Sequence, residues 1–214
     1  MRKTSLLRRA PIVLAGGLAI AAGLCATPAS AADTAVDFSC QATPPIGSAQ
    51  TFDLNAGVNA TAPDSVAAGS QFSITLAPDA LTVPSTVSGY SIQSINDIQL
   101  TIPIPANATL LGESASGGSG IDPSGTSVAV NGNDVVITVN SSVAGGSTFT
   151  LPALTLNLQA GASGSTVQTT LGGTSYTDPG LTFTATVPVA FFTVNVPTTC
   201  YPASSQTLST TTVS

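Results

Sequence analysis

Apolar and polar residues alternate along most of the chain with a period of two, the pattern of strands that bury one face. The clearest stretch is residues 127–158, where three alternating runs are joined by two short turns containing glycine. The turn at residues 131–134 (NGND) is built from residues that tolerate positive φ and is typical of a hairpin. The alternation changes phase near Pro152, which predicts a bulge. We therefore expect residues 127–158 to form a three-stranded antiparallel meander.

Further alternating runs extend the pattern over the rest of the chain, at residues 52–60, 72–76, 98–104 and 167–171. The final run, residues 181–196, changes phase at Phe191-Phe192, which predicts a second bulge. No window beyond the N-terminal segment has a helical period. About eight to ten strands without helices predict an all-β fold, namely an immunoglobulin-like two-sheet antiparallel β-sandwich.

The N-terminal residues have the composition of a secretory signal peptide. An apolar run at residues 10–24 follows a basic segment, and Ala29-Ser30-Ala31 has the small-residue pattern of a cleavage site. We therefore expect residues 1–31 to be a cleaved signal peptide. The exported protein would then be secreted or associated with the cell envelope, and its mature chain would carry no transmembrane segment.

Two further segments follow from this assignment. Residues 32–202 are expected to form the β-sandwich domain, because their length suits one domain with a sizeable core. After Pro202 the chain is rich in Ser and Thr, and residues 203–214 are expected to be a disordered tail.

Removal of the signal peptide changes the charge of the chain. The four Lys and Arg residues all precede residue 10, and the chain has no His. The mature chain therefore keeps ten carboxylates and no basic side chain, a side-chain charge of −10 compared with −6 for the whole sequence. Nucleic acid would be repelled. Catalytic triads and dyads would lack their base, so the composition favours a protein that is not an enzyme.

Two cysteines remain in the mature chain, Cys40 and Cys200, and they bracket nearly the whole domain. An even number of cysteines in an exported chain indicates a disulfide. Metal binding by two cysteines without any histidine is not expected.

Calcium is the one cofactor for which the side chains offer ligands. Asn131, Asn133 and Asp134 share a turn, and Asp122 and Asp178 lie in other loops that could meet at one end of a sandwich. Carboxylate and amide oxygens are the ligands that calcium prefers. The same Asn-Gly turn is also what a plain hairpin requires, so both interpretations stay open.

Aromatic residues supply the other candidate site. Tyr90 and Tyr176 fall in predicted loops, where tyrosines can form a platform for a glycan. The adjacent Phe191 and Phe192 cannot both face one core without a bulge, so one of them could contribute to an exposed apolar patch. Packing of both rings around a bulge is the alternative.

Several short motifs carry a resemblance to known domains. Residues 38–40 (FSC), 45–47 (PIG) and the run 52–66 ending in APDSV resemble exported actinobacterial β-sandwich domains of unknown function. Residues 144–158 are similar to the immunoglobulin-like repeats of bacterial surface proteins. The resemblance implies a cell-envelope or secreted setting and a non-enzymatic role.

These observations together predict a secreted or envelope-associated structural or interaction module that is not an enzyme. Its partner would be a protein or a glycan at the cell surface. A β-sandwich module that binds glycan or calcium is the alternative.

Overall fold

The computed structural model describes residues 29–214, so most of the predicted signal peptide lies outside the described residues. The described chain is built from strands and the loops between them, and its one helical segment is the short 3-10 turn Pro123–Gly125. The strands are β1 (Ala29–Ala42), β2 (Gln50–Pro63), β3 (Ser65–Val66), β4 (Gln71–Pro78), β5 (Leu81–Thr82), β6 (Thr86–Val87), β7 (Tyr90–Ser91), β8 (Ser94–Pro103), β9 (Ala108–Ser116), β10 (Thr126–Asn131), β11 (Asp134–Val139), β12 (Val143–Ala144), β13 (Thr148–Phe149), β14 (Ala153–Ala160), β15 (Thr166–Thr170), β16 (Leu181–Val189), β17 (Phe192–Pro202) and β18 (Thr207–Val213). The fold is therefore all-β, as predicted.

One large antiparallel sheet organises the molecule. Its strand order is β10-β11-β8-β16-β17-β1-β2-β4-β14-β9, with β12 added to β8. The edge strands β9 and β10 lie against each other, so the sheet curls until its two halves face one another. Side chains from both halves fill the space between them, and this arrangement is consistent with a β-sandwich.

The longest pairing is the hairpin of β1 and β2, which runs from Ala42↔Gln50 to Ala29↔Pro63. Alternation explains β2, where Val58, Ala60 and Ala62 are buried and their neighbours are not. β1 was not predicted as a strand, and its first three residues pair with residues 61–63. Cleavage after Ala31 stays a prediction, since most of the signal segment lies outside the described residues.

The meander expected at residues 127–158 is only partly correct. β10 and β11 form the predicted hairpin around Gly132, whose φ is +63°. β14, however, pairs with β4 and β9 in the other half of the sheet. The phase change near Pro152 is therefore the point where the chain crosses between the two halves, and the bulge prediction there was wrong.

The bulge predicted at the paired phenylalanines was also wrong. β16 and β17 are two strands of a hairpin, with Val189 opposite Phe192 and a turn at Ala190-Phe191. Ala190 has a φ of +50°, which is the left-handed region that tight hairpin turns require. The change of phase marks a reversal of the chain, because residues on either side of a two-residue turn can share one face of the sheet.

The expected disorder of residues 203–214 was wrong as well. β18 pairs with β15 and, in parallel, with β3, which makes a three-stranded sheet. Leu208 and Val213 are buried there, and Thr211 donates a hydrogen bond to the Pro63 carbonyl at 2.8 Å. The Ser/Thr-rich composition hid the strand, because Ser209 and Thr211 occupy buried positions of β18 together with Leu208 and Val213. Thr also favours strands.

Candidate functional site

An apolar cavity of about 530 Å³ lies inside one end of the curled sheet. Its walls are the inner faces of β1, β2, β8, β16 and β17, and the segment containing β5, β6 and β7 lies across them. Alternation places the cavity-facing side chains at every second position of β17, where Phe192, Val194 and Val196 all line it. The apolar lining is thus the inward face of ordinary strands.

Small side chains help to leave the space open. Ala42, Ala56 and Ala185 line the cavity from three different strands, at positions where larger residues would reach further inward. Protein interiors are normally packed with few voids larger than a water molecule. A volume of about 530 Å³ falls within the range of roughly 300–1,000 Å³ found for ligand pockets.

Polar groups of the lining lie at its margin. Five polar residues of the lining are exposed, namely Ser48, Gln50, Asp53, Thr82 and Ser88. Asp53 is the only carboxylate among the lining residues. Thr198 is the buried exception, and its hydroxyl donates to the Val196 carbonyl at 3.4 Å. Among the described residues, Ser141 Oγ is the single buried side-chain nitrogen or oxygen atom without a hydrogen-bond partner, and Ser141 does not line the cavity.

Exposed apolar side chains surround the mouth of the cavity. Ile46 is 83% exposed, Tyr90 57%, Phe192 58% and Val189 37%, and all four line the cavity as well. Phe191 completes the group at the tip of the β16–β17 hairpin, where it is fully exposed. We call these five residues the apolar rim.

Three connections bring the rim together. The β1–β2 loop carries Ile46 and is held against β17 by a hydrogen bond from Thr43 N to the Pro197 carbonyl, at 2.9 Å. The β6–β7 hairpin carries Tyr90, and the residues after it are held against β16 by a bond from Gln93 N to the Thr186 carbonyl, at 2.8 Å. The β16–β17 hairpin supplies the remaining three members.

The predicted aromatic candidates therefore separate. Tyr90, Phe191 and Phe192 belong to the apolar rim, whereas Tyr176 lies elsewhere, in the loop between β15 and β16. The Tyr176 hydroxyl is 2.8 Å from Ser39 Oγ, and its ring packs edge-on against Tyr201 at 5.1 Å between centroids. Tyr176 thus fastens its loop to the outer face of β1 and β17, and the four aromatics do not form one platform.

The calcium candidates are also divided by the fold. Asn131, Asn133 and Asp134 form the turn at one end of the β10–β11 hairpin, while Asp122 precedes the other end. Six residues of strand separate these ends, which is about 17 Å. Asp178 accepts a hydrogen bond from Thr174 Oγ1 at 2.8 Å. Among residues 29–214, no group of three or more His, Cys, Asp or Glu side chains is placed to hold a metal ion.

Asp122 has a structural role that the residues around it explain. Its Oδ1 accepts hydrogen bonds from the Ser124 hydroxyl at 2.8 Å and from the Ser124 amide at 2.9 Å. These bonds favour the ionised carboxylate and lower the pKa of Asp122, the hydroxyl contributing most. The side chain caps the 3-10 turn that leads from β9 into β10.

The predicted disulfide is confirmed. Cys40 and Cys200 are bonded to each other and occupy directly opposed positions on β1 and β17, with 4.1 Å between their Cα atoms. Both side chains are completely buried. The bond joins two neighbouring strands whose cysteines are 160 residues apart in sequence.

The apolar rim was only partly foreseen from the sequence. Phe191, Phe192 and Tyr90 were candidates, but Ile46 and Val189 were not. The signal that could have found them is the presence of large apolar residues in turns, as at Pro45-Ile46-Gly47 and Val189-Ala190-Phe191. Nothing local in the sequence indicates that these turns meet around a cavity.

These features define an all-β domain with one apolar site, and comparison with known proteins agrees on the fold. No family model matches the chain, and no curated protein matches it. Among solved structures, the chain is similar to a protein of Corynebacterium diphtheriae described as membrane anchored, with a TM-score of 0.51 and 19% identity. The match covers 86% of this chain and 38% of that one, so this chain spans well under half of that protein's length. Identity this low shows a shared fold alone.

A second similar structure is the RrgA Jo.In complex, with a TM-score of 0.34 and 11% identity. The match covers 67% of this chain and 78% of the other, and a TM-score this low does not establish a shared fold. The resemblance to exported actinobacterial domains has no matching family model behind it and stays a prediction. Within residues 29–214, no helix combines the length and apolarity needed to cross a membrane.

Proposed function

We propose that the chain is a non-enzymatic interaction module of an exported, envelope-associated protein, and that it binds an apolar partner at the mouth of the cavity. The observation that carries the proposal is the grouping of exposed apolar residues. Five of the seven large hydrophobic side chains exposed on the described surface belong to the apolar rim. Apolar groups gathered around a concave site are typical of a binding surface.

Export is supported by several independent features. The N-terminal segment has signal-peptide character, and the buried Cys40–Cys200 bond suits an oxidising compartment. The similar protein of Corynebacterium diphtheriae is described as membrane anchored. An envelope setting for this chain rests on these features together.

We propose that the protein is not an enzyme because its side chains lack the groups that common catalytic sites use. The described residues include no Lys, Arg or His, and both cysteines after residue 31 are in the disulfide. The cavity lining offers hydroxyls, one amide and one carboxylate, all but one of them at the exposed margin. A nucleophile in this site would have no Lys or His beside it to act as a base, and the one carboxylate of the lining, Asp53, is at the exposed margin.

The uncharged dye Nile red tests whether the mouth binds apolar molecules. We expect the mature protein to bind it at a single saturable site, with a rise in fluorescence. Phe192→Ser should raise the dissociation constant about tenfold, which corresponds to about 1.4 kcal/mol, because it removes the aromatic ring of the lining that is exposed at the mouth.

Leu111→Ser is the matched control, since Leu111 is 49% exposed on the edge strand β9 and does not line the cavity. Its dissociation constant should equal that of the unmodified protein. Absence of saturable binding, or equal weakening by the two substitutions, would contradict the proposed function.

A further inference from the structure

The interior of the cavity places a chemical limit on what can occupy it. Below the margin the lining is hydrocarbon, from residues such as Leu54, Ile95 and Phe183. A buried water needs two to four polar partners, and the one buried hydroxyl of the lining, Thr198, is already bonded to the Val196 carbonyl. Water inside the cavity would therefore lack hydrogen-bond partners on the protein. An apolar guest would instead make the van der Waals contacts that the lining side chains lack when the cavity is empty.

Charge narrows the class of guest further. A carboxylate or phosphate at the mouth would meet no basic side chain, because residues 29–214 contain no Lys, Arg or His. It would instead meet Asp53 at the margin, on a chain with ten carboxylates. Partial desolvation of an anion without a cation beside it is unfavourable.

The margin offers neutral hydrogen-bonding groups instead. Ser48, Gln50 and Ser88 are exposed beside the opening. Gln50 Nε2 donates to Ser48 Oγ at 3.2 Å, so the groups that this pair offers to a guest are the Ser48 hydroxyl hydrogen and the Gln50 carbonyl oxygen. Such groups suit a hydroxyl, which both donates and accepts hydrogen bonds, or an ester, which accepts them, and neither needs a counter-ion. The polar end of a guest can also stay in contact with water there.

The shape of the apolar surface indicates how the guest is oriented. The hydrocarbon lining includes Val189, Phe192 and Ile46, which are also exposed members of the apolar rim. A flexible chain could therefore keep apolar contact from the mouth to the interior. A compact polar ligand such as a sugar would find partners only at the margin.

We propose that the cavity holds the hydrocarbon chain of an uncharged lipid, with the chain inside and the neutral head group beside Ser48, Gln50 and Ser88. This inference rests on the proposed function, since it names the chemical class of the apolar partner. The occupant is an alkyl or acyl chain, and anionic lipids are disfavoured.

Competition with bound Nile red tests the inference on the folded, disulfide-bonded protein. The two competitors are decanol and decanoate at neutral pH, below the concentrations at which they aggregate. They have the same carbon count and differ in the charge of the head group. We expect decanol to displace the dye and decanoate to need a concentration about tenfold higher, because its charge has no partner.

Two cavity-filling variants locate the site. Ala185→Phe and Ala56→Phe extend a ring into the cavity from β16 and from β2, and each should abolish displacement by decanol. Ala129→Phe is the matched control, because Ala129 is exposed on the edge strand β10 and does not line the cavity. The near-ultraviolet circular dichroism of each variant checks that it is folded. The comparison of decanol with decanoate is made on the unmodified protein only.

The outcomes separate the two proposals. Equal or tighter binding of decanoate would overturn the charge argument, and failure of both competitors while Nile red still binds would overturn the lipid inference but leave the proposed function standing. Absence of Nile red binding would overturn the proposed function itself. Displacement by decanol that persists in both filled variants would show that the chain binds outside the cavity.

Discussion

The two ends of the curled sheet are built from the same alternating pattern but are finished differently. Where β1 begins and β2 ends, the small sheet of β15, β18 and β3 lies across the core, and Val167, Leu208 and Val213 are buried beneath it. At the other end, short strands and loops leave the cavity with its apolar rim exposed. We call these regions the closed end and the open end.

Polar groups show the same contrast. At the closed end, Thr169 and Ser209 are buried and their hydroxyl oxygens are 2.6 Å apart, so each satisfies the other. At the open end, polar side chains stay at the solvent-exposed margin and the interior is hydrocarbon. A strand pattern therefore predicts that a face is buried, but only the fold decides whether protein or a ligand covers it.

The disulfide lies between the two ends, and its loss should have the largest effect. In the Cys40→Ala, Cys200→Ala double variant, the freed loop of 160 residues raises the entropy of the unfolded state. We expect the free energy of unfolding to fall by up to about 5 kcal/mol, measured by urea denaturation.

The double variant supplies its own control, because reductant should lower the stability of the unmodified protein and leave that of the variant unchanged. Identical unfolding curves for the unmodified protein with and without reductant would show that the disulfide does not contribute to the free energy of unfolding.

Single truncations should distinguish the closed end from the open end. Leu208→Ala at the closed end leaves a void under a side chain that is 1% exposed, and should lower the free energy of unfolding by about 3 kcal/mol. Phe191→Ala at the open end removes a fully exposed ring and should change it by less than about 0.5 kcal/mol. Urea denaturation of both variants measures the difference, and equal effects would remove the distinction between the ends.

Salt should stabilise the whole domain, because the described chain has ten carboxylates and no basic side chain. Raising sodium chloride from low to physiological concentration screens their repulsion and should raise the melting temperature by on the order of 3 °C. The same titration in acid, at about pH 2, is the control and should show a smaller rise, because that pH lies well below the reference pKa values of Asp and Glu side chains. A melting temperature that falls with salt at neutral pH would contradict this reasoning.

The smallest effect is expected at Asp122, which caps the turn between the edge strands of the curled sheet. Its pKa in the folded state lies below the ordinary value of 3.8, so its contribution to stability is present above that pH and is lost as the pH falls through the folded pKa. Ser124→Ala removes the larger of the two causes and should raise the pKa toward 3.8. Carbon-13 NMR of the carboxyl group measures it, with Ser127→Ala as the control. An unchanged pKa would show that the hydroxyl does not stabilise the carboxylate.

Alternation predicted the strands of the core but could not assign their partners. The positions of β2, β4, β8 and β11 follow from apolar residues at every second position, and the Asn-Gly turn fixed the β10–β11 hairpin. Alternation led to wrong predictions of bulges around Pro152 and Phe191. A change of phase occurs at a bulge, where the chain crosses from one half of the sheet to the other, and at a tight hairpin turn, so the pattern does not distinguish them. Pairing is set by contacts between residues far apart in sequence.

The candidate site was harder to predict than the fold. Tyr90, Phe191 and Phe192 stood out as aromatic residues in predicted loops or at a phase change. The one signal at Ile46 is a large apolar side chain within a turn, which does not show whether the side chain packs into the core or stays exposed. The cavity depends on Ala56 and Ala185 being small where strands from distant parts of the sequence face each other. A residue's contribution to an empty volume is visible only when its neighbours in space are known.

Xenon binding in a crystal tests the contrast between the ends most directly, since xenon enters apolar cavities and makes no demand on charge or hydrogen bonding. We predict xenon density within the open-end cavity, among side chains such as Leu54, Ala185 and Val196, and none beneath the small sheet at the closed end. Xenon should be lost from crystals of the Ala185→Phe variant. Ordered water filling the cavity, or side chains collapsed into it so that no xenon binds, would contradict the account.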